Sequence, residues 1–308
     1  MLTTLLLAAT VASSGIRGTW TIAVNPDYTQ LTIVRDHSNW GQSIKRSDIP
    51  LSDSEINASR ETPVHFAFNR DAGVIDFTGS FMSGEGVGRF VFTPNSNYIS
   101  TLRSLNVSSE DPLDDDRLFS LAMHDVSTSF IRDMQNLGYK EDLQSYVRFK
   151  IHGVTTDFIR ELRSLGYNSL TAEDLVRFRI HGVSPQFIHD MKNIGFETSA
   201  EDLVRFRIHG VSPEFVKGMN DLGVTGVNSE SAVRMRIHGV STDYVRELGN
   251  LGYKSLAADD LVRMRIHDVS TEFIRQLASA GYHGIPVDKL VQMRIRGIDP
   301  SMLTRSNQ

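Results

Sequence analysis

Several features that are common in proteins are missing from this chain of 308 residues. It contains no cysteine, which excludes disulfides, zinc sites built on thiolates and cysteine nucleophiles. It has only 7 lysines against 25 arginines, and its net charge of -5 gives no general attraction to nucleic acid. Because arginine suits fixed, partly buried pairing better than lysine does, this bias indicates structural ion pairs.

The sequence also lacks the standard signatures of catalysis. It has no His-Glu-x-x-His motif, no Gly-x-Ser-x-Gly motif and no phosphate-binding Gly-x-x-x-x-Gly-Lys motif. The glycine-rich run from Gly84 to Gly88 lacks dinucleotide-binding spacing and lies in a hairpin context, so we interpret it as a turn. We therefore expect a protein that is not an enzyme and that holds no cofactor and no metal.

Long apolar runs are confined to the N-terminus. Residues 1–14, MLTTLLLAATVASS, form an apolar segment that ends in small residues, as in a secretory signal peptide, although a basic n-region is missing. The alternatives for this segment are a membrane anchor or a fragment of a longer membrane protein. Elsewhere no stretch approaches the roughly 20 apolar residues of a membrane span. We expect an exported chain, periplasmic or extracellular.

A repeated sequence dominates the chain from about residue 94 onward. The tag His-Gly/Asp-Val recurs every 28 or 29 residues, and Arg296 takes the place of the histidine in the seventh copy. The histidines of the tag are His124, His152, His181, His209, His238 and His267. Such a fixed period is typical of a repeat architecture.

Each repeat carries the signals of two short helices. In one unit, Ser184 and Pro185 are suited to start the first helix, which we call helix A, and Gly195 ends it. The second helix, helix B, extends from a cap near Ser199 to His209. Helices of about ten residues do not persist alone in water, so they must gain order by stacking on neighbouring units.

Residues before the repeats have strand and hairpin signals instead. Runs such as Trp20–Val24 and Val64–Phe68 alternate with turn residues and predict an antiparallel sheet of about six strands. The expected fold is α+β and mainly α. It comprises an antiparallel β domain (15–93), an α-solenoid of about seven two-helix units that is degenerate at both ends (94–300), and a tail (301–308).

The periodic histidines invite comparison with a metal site. Equivalent residues in stacked units lie one helix-packing distance apart, roughly 8–10 Å. Two histidines that share a zinc ion need nitrogens within about 4 Å of each other. We therefore interpret the six histidines as a structural ladder in which each side chain closes helix B, bonding to a late carbonyl or to a neighbouring unit.

Two columns of basic residues accompany the histidines. At 100° per residue, Arg207 falls inside the apolar arc of helix B, which also contains Ile208, whereas Arg205 falls outside it. The column that we expect to be partly buried, paired with helix A carboxylates or turn carbonyls, is Lys150, Arg179, Arg207, Arg236, Arg265 and Arg294. The column that we expect to be exposed is Arg148, Arg177, Arg205, Arg234 and Arg263. That exposed stripe is a candidate site for an anionic partner; the alternative is a solvated face balanced by nearby acidic residues.

Several tags resemble a known bacterial module. They are Gly18-Thr19-Trp20, Ser38-Asn39-Trp40-Gly41, Arg70-Asp71-Ala72-Gly73, Gly86-Val87-Gly88-Arg89-Phe90 and the reiterated Leu-Val-Arg-x-Arg-Ile-His-Gly-Val-Ser-Pro-Glu-Phe. Over about residues 18–300 the chain resembles a module attached to membrane zinc metallopeptidases of the beta-lactam sensor (antirepressor) type. The peptidase half is absent here, so the resemblance implies an envelope protein and not a protease.

Three functions are compatible with these observations. The first is a non-enzymatic scaffold of the bacterial envelope or extracellular space, which binds a protein or assembles with itself. The second is a sensor of a ligand or of the cell wall, linked to antibiotic response, in which Trp40 contacts the ligand; the alternative for Trp40 is a place in the core. The third is binding of nucleic acid through the exposed arginine stripe, which the acidic net charge disfavours.

Overall fold

The computed structural model describes residues 15–25, 28–35 and 38–303. The fold is α+β and mainly α, with an N-terminal antiparallel sheet followed by helices, as predicted. The predicted signal peptide, residues 1–14, lies outside the described residues, as do residues 304–308 of the predicted tail. The chain forms two compact units, Met1–Thr156 and Asp157–Gln308, so the first unit contains the sheet together with the first helices.

Six strands form one antiparallel sheet in the first unit. Their order across the sheet is β3-β2-β1-β6-β5-β4. The strands are β1 (Ile16–Val24), β2 (Thr29–Arg35), β3 (Ser38–Ile44), β4 (Thr62–Arg70), β5 (Gly73–Met82) and β6 (Glu85–Pro94). The predicted glycine-rich turn is shorter than expected, because Gly84 lies in the turn whereas Gly86 and Gly88 belong to β6.

Trp20 is the centre of the sheet's core. Its side chain is fully buried, its ring packs edge-on against Phe66 and Phe77, and its indole N–H donates to the carbonyl of Arg89 at 3.1 Å. Gly79 makes room for the indole, since a Cβ there would lie 2.8 Å from the Trp20 ring and 2.1 Å from a backbone oxygen of β6. The glycine in β5 is therefore a packing requirement.

The other regular elements of the described chain are α-helices, apart from a short 3₁₀ helix at Arg46–Asp48. In the first unit the helices are α1 (Asp53–Ile56), α2 (Ser96–Ser104), α3 (Asp115–Met123), α4 (Thr128–Asn136) and α5 (Leu143–His152). The helices that follow are α6 (Thr156–Ser164), α7 (Ala172–Ile180), α8 (Pro185–Asn193), α9 (Ala200–His209), α10 (Pro213–Asp221), α11 (Ser229–Ile237), α12 (Thr242–Asn250), α13 (Ala258–Ile266), α14 (Thr271–Ser279), α15 (Val287–Ile295) and α16 (Pro300–Leu303).

The caps of these helices match the sequence signals. Ser184 accepts a hydrogen bond from the amide of Phe187 with Pro185 at the first helical position, and Ser199 forms a reciprocal capping box with Asp202. Each tag glycine that follows a helix B adopts a left-handed conformation, as at Gly210 with φ of 70°. This conformation costs a residue with a Cβ about 1–2 kcal/mol, and aspartate and asparagine tolerate it best.

Two tags have aspartate where the others have glycine. Asp125 and Asp268 adopt the same left-handed conformation, with φ of 52° and 53°. In each case the carboxylate contacts the cation that the next helix B presents: Lys150 Nζ lies 3.3 Å from Asp125, and Arg294 bonds to Asp268. An ion pair therefore accompanies the less favourable residue at both tags.

Packing is sequential within each unit. In the first unit α3 lies against the sheet, where the Phe119 ring stacks on Phe90 with 5.4 Å between centroids. In the second unit α7, α9, α11, α13 and α15 pack in order as one row, and α8, α10, α12 and α14 pack in order as another. Each helix B buries equivalent apolar residues, such as Leu203, Val204 and Phe206. Among the described residues no helix combines the length and apolar character needed to cross a bilayer.

Candidate interaction surface

The arginine column that was expected to be exposed is engaged between repeats. Arg205 is half-buried, with a side-chain exposure of 33%, and its Nη2 lies 2.8 Å from Glu230 at the start of the next helix B. The same contact recurs in the second unit in the pairs Arg177–Glu201, Arg234–Asp259 and Arg263–Asp288, at 2.9, 2.8 and 2.6 Å. Arg148 is also half-buried, whereas Arg263 is exposed as predicted. Carboxylates of this chain thus already occupy the predicted binding stripe in the second unit.

The other column, expected to be partly buried, is instead exposed at Arg179, Arg207, Arg236 and Arg265. Each of these guanidinium groups lies over an aromatic ring of helix A in the same two-helix repeat. The centroid distances in the pairs Arg179–Phe158, Arg207–Phe187, Arg236–Phe215 and Arg265–Tyr244 are 5.0, 5.1, 5.1 and 5.0 Å. Lys150 and Arg294, which are half-buried, lie over Phe130 and Phe273 in the same way. In each case the aliphatic part of the basic side chain packs on the aromatic ring, and its charged end extends into solvent.

Three members of this stacked column have no acidic counterpart. Among the residues that the structure describes, no carboxylate lies within ion-pairing distance of Arg207, Arg236 or Arg265. Two of them donate long hydrogen bonds through Nε to turn carbonyls, Arg207 to His181 at 3.4 Å and Arg265 to His238 at 3.5 Å. The predicted bonds to turn carbonyls are therefore present there, and the aromatic rings take the place of the predicted carboxylates.

The isoleucine that follows each member of this column is also exposed. Ile208 was expected in the apolar arc of helix B, but this residue is 54% exposed. The equivalent residues, with exposures between 50% and 62%, are Ile151, Ile180, Ile237, Ile266 and Ile295. In the second unit the last turn of each helix B therefore presents an arginine next to an exposed isoleucine, and we call this set of residues the Arg–Ile ladder.

The histidines of the second unit lie on the same edge, because Arg207 and Arg265 reach back to the preceding tags. His209 and His238 are exposed, and in the described part of the chain their side chains form no hydrogen bond. The predicted side-chain bonds to late carbonyls are thus not formed there; the backbone carbonyls of His181 and His238 serve as acceptors instead. His152 and His267 are half-buried. Within residues 15–25, 28–35 and 38–303 no three His, Asp or Glu side chains converge to hold a metal ion.

Trp40 lines a cavity of the first unit. It is half-exposed on β3, and the core tryptophan is Trp20. The cavity has a volume of about 180 Å³, and its walls include Arg35, Trp40, Asp116, Phe119 and His124. The Trp40 and His124 rings meet edge to face with 5.6 Å between centroids, and Arg35 is paired with Asp116. This places one tag histidine, His124, against the candidate ligand residue.

His124 connects this cavity to a second, more polar one of about 380 Å³. Both are lined by Met123 and His124, and the second also by Lys45, Arg70 and Lys150. Burial lowers the pKa of His124, and the positive charges of Arg117 and Lys150 lower it further. The imidazole is therefore neutral at neutral pH, so that it adds an apolar and hydrogen-bonding wall instead of a charge.

Sequence reasoning missed two features of the stacked column, although each had a signal. Phe187, Phe215 and Tyr244 recur at one position of helix A and were assigned only to the apolar face. Asp125 and Asp268 stand in the sequence where other tags have glycine, but no ion-pair partner was predicted for them. Each aromatic residue precedes the arginine that covers it by 20 or 21 residues, so the two columns share the period of the repeat.

Comparison of the chain with protein-family models and with curated proteins finds no match. The chain's own surfaces are therefore the basis for inferring its function. These are the Arg–Ile ladder of the second unit and the Trp40 cavity of the first.

Proposed function

We propose that this chain is a non-catalytic scaffold of the bacterial envelope or extracellular space that binds a protein partner through the Arg–Ile ladder. The observation that carries the proposal is the recurrence of an exposed isoleucine next to a stacked arginine in successive repeats. Scattered exposed apolar residues are normal on a protein surface, whereas a contiguous series indicates an interaction site. The export of the chain is part of this proposal and is supported by the composition of residues 1–14.

The ladder offers apolar surface that a partner can bury. Burying a fully exposed isoleucine contributes about 1.5–3 kcal/mol, so a half-exposed one still contributes about 1 kcal/mol when a partner covers it. The second unit carries five such side chains, Ile180, Ile208, Ile237, Ile266 and Ile295. Together they supply about 5 kcal/mol before the costs of association, and charged contacts at the arginines add to this.

Site-specific photo-crosslinking tests the proposal. A photo-reactive amino acid is introduced at the position of Ile208 or Ile237. The matched control carries it at Asn220, an exposed residue of α10, the helix A that precedes the helix B of Ile237. We expect one defined protein adduct from envelope extract at the two ladder positions and none at the control. Equal adducts at all three positions, or no adduct at any of them, would contradict the proposal.

A second candidate function is the binding of a small ligand in the first unit. It is favoured by the cavity that Trp40 and His124 line, with the charged pair Arg35–Asp116 at its edge. An aromatic wall with a few polar groups is the usual construction of a small-molecule site. Quenching of Trp40 fluorescence by cell-wall fragments, abolished by Trp40→Phe together with loss of binding in calorimetry, would support it. Unchanged binding in this variant would rule out the cavity as the site.

A further inference from the structure

The stacked arginines of the second unit differ in whether the chain itself supplies a carboxylate. We call a repeat closed where the preceding tag has aspartate, as for Asp268 with Arg294, and open where that tag has glycine and the arginine has no carboxylate. The open repeats are those of Arg207, Arg236 and Arg265, which follow Gly182, Gly210 and Gly239. We propose that the open repeats bind an extended acidic segment of a partner protein, one carboxylate to each arginine. This inference rests on the proposed function and names the occupant of the ladder.

The closed repeat shows that a carboxylate fits at this place. Arg294 lies over the Phe273 ring at 5.0 Å, as Arg207, Arg236 and Arg265 lie over their rings, and it bonds to Asp268 while stacked. The open repeats have the same stacking and lack only the acidic group. A partner carboxylate that bonded to the terminal nitrogens of an open arginine would reproduce a contact that this protein already makes once in the same unit.

The open arginines are also held in place before any partner arrives. The ring covers one face of the guanidinium, and at Arg207 and Arg265 the Nε–H donates to a turn carbonyl. The two terminal nitrogens of each remain available as a fork of donors, which suits a carboxylate with two oxygens. Because the side chain is already fixed, less conformational entropy is lost when a partner binds.

The spacing of the repeats suits an extended peptide, and apolar contact and net charge favour a peptide over a nucleic acid. Successive repeats stack at roughly 8–10 Å, and an extended peptide advances about 3.1–3.4 Å per residue, so every third residue meets a new arginine. Each exposed isoleucine of the ladder can contact an apolar side chain of a peptide, and the net charge of -5 opposes a large polyanion.

The tag glycines permit a test that leaves the arginines untouched. In the triple variant Gly182→Asp, Gly210→Asp, Gly239→Asp the chain supplies a carboxylate to every open arginine, as Asp268 already does for Arg294. The matched control replaces the same three glycines with asparagine, which tolerates the left-handed conformation equally well but has no charge. The reverse variant, Asp268→Gly, opens one further repeat at Arg294.

Fluorescence anisotropy at low ionic strength provides the measurement. The probe is a labelled peptide with glutamate at every third position and a valine beside each glutamate; the control peptide has the same composition with consecutive glutamates. We expect the spaced peptide to bind at least about tenfold more weakly to the aspartate variant than to the asparagine variant, because three ion pairs are lost. Asp268→Gly should bind it a few-fold more tightly than the wild type.

Defined results would overturn the inference. Equal binding of the spaced and consecutive peptides, equal binding to the aspartate and asparagine variants, or tighter binding of a single-stranded oligonucleotide than of either peptide would each refute an acidic peptide as the occupant. If the peptides fail while photo-crosslinking at Ile208 still captures a defined protein, the scaffold function stands with a different occupant. If both fail, the proposed function fails as well.

Discussion

Replacing the tag glycine Gly210 tests the physical account of the open and closed repeats. Gly210 has φ of 70°, and a Cβ there would lie 3.1 Å from Nη2 of Arg236. Gly210→Ala therefore meets a conformational cost of about 1–2 kcal/mol and no compensating contact. Gly210→Asn costs less, about 1 kcal/mol, since asparagine tolerates this conformation better.

Gly210→Asp adds a carboxylate within reach of Arg236. An exposed ion pair contributes about 0.2–1 kcal/mol, so this variant should lose at most about 1 kcal/mol at low salt. The expected order of unfolding free energy is wild type, then aspartate, then asparagine, then alanine. High salt should bring the aspartate variant down to the asparagine variant, because the pair lies at the surface and is screened.

Urea unfolding followed by circular dichroism at 222 nm, at low and at high ionic strength, measures this order. Asp268→Gly is the mirror experiment, since it relieves the left-handed strain and removes the contact with Arg294. An alanine variant as stable as the wild type would refute the argument from conformation. Aspartate and asparagine variants of equal stability at low salt would refute the argument from charge.

Three further predictions concern other parts of the structure. Trp20→Ala should lower the free energy of unfolding by about 3–5 kcal/mol, because it empties a fully buried site. Trp40 is half-exposed, so Trp40→Ala should lower it by only about 1 kcal/mol, chiefly through loss of the edge-to-face contact with His124. Equal losses of the two variants in urea unfolding would contradict the different placements of the two tryptophans. Burial and nearby cations lower the pKa of His124 in the folded state, so the unfolded state binds the proton more readily. The free energy of unfolding should therefore fall as the pH drops below about 6.5. His124→Gln should flatten that part of the curve of stability against pH, and an unchanged curve would show that His124 is not the titrating group. Glu230→Gln should cost no more than about 1 kcal/mol and remove a salt-sensitive contact of Arg205, which a double-mutant cycle measures; a much larger coupling would show that the pair is more than a surface contact.

Much of the local structure was predictable from the sequence, because the signals are short-range. Ser184 and Ser199 act as caps through bonds to amides only three residues away, and Gly210 ends a helix through its own backbone preference. The number of strands followed from alternating residues between turns. The candidate sites depend on contacts between repeats, which those signals do not contain.

The exposed and the half-buried arginine columns are largely the reverse of what the sequence predicted, and this shows what a helical wheel cannot predict. On a helical wheel Arg207 points toward the apolar side, and in the structure it lies over Phe187; yet it is exposed, because it belongs to the last turn of helix B. Arg205 points away from that side but is half-buried, since its guanidinium reaches Glu230 in the next repeat. The wheel specifies direction around one axis, whereas burial also depends on position along that axis and on the neighbouring helix.

The choice between glycine and aspartate at the tag has an evolutionary consequence. A glycine codon GGU or GGC becomes an aspartate codon when only its second base changes to A. A single point mutation therefore switches the charge balance of one repeat while the helices on either side keep their caps and their packing. In this way a lineage can lengthen, shorten or divide the row of open arginines one repeat at a time, without changing the fold.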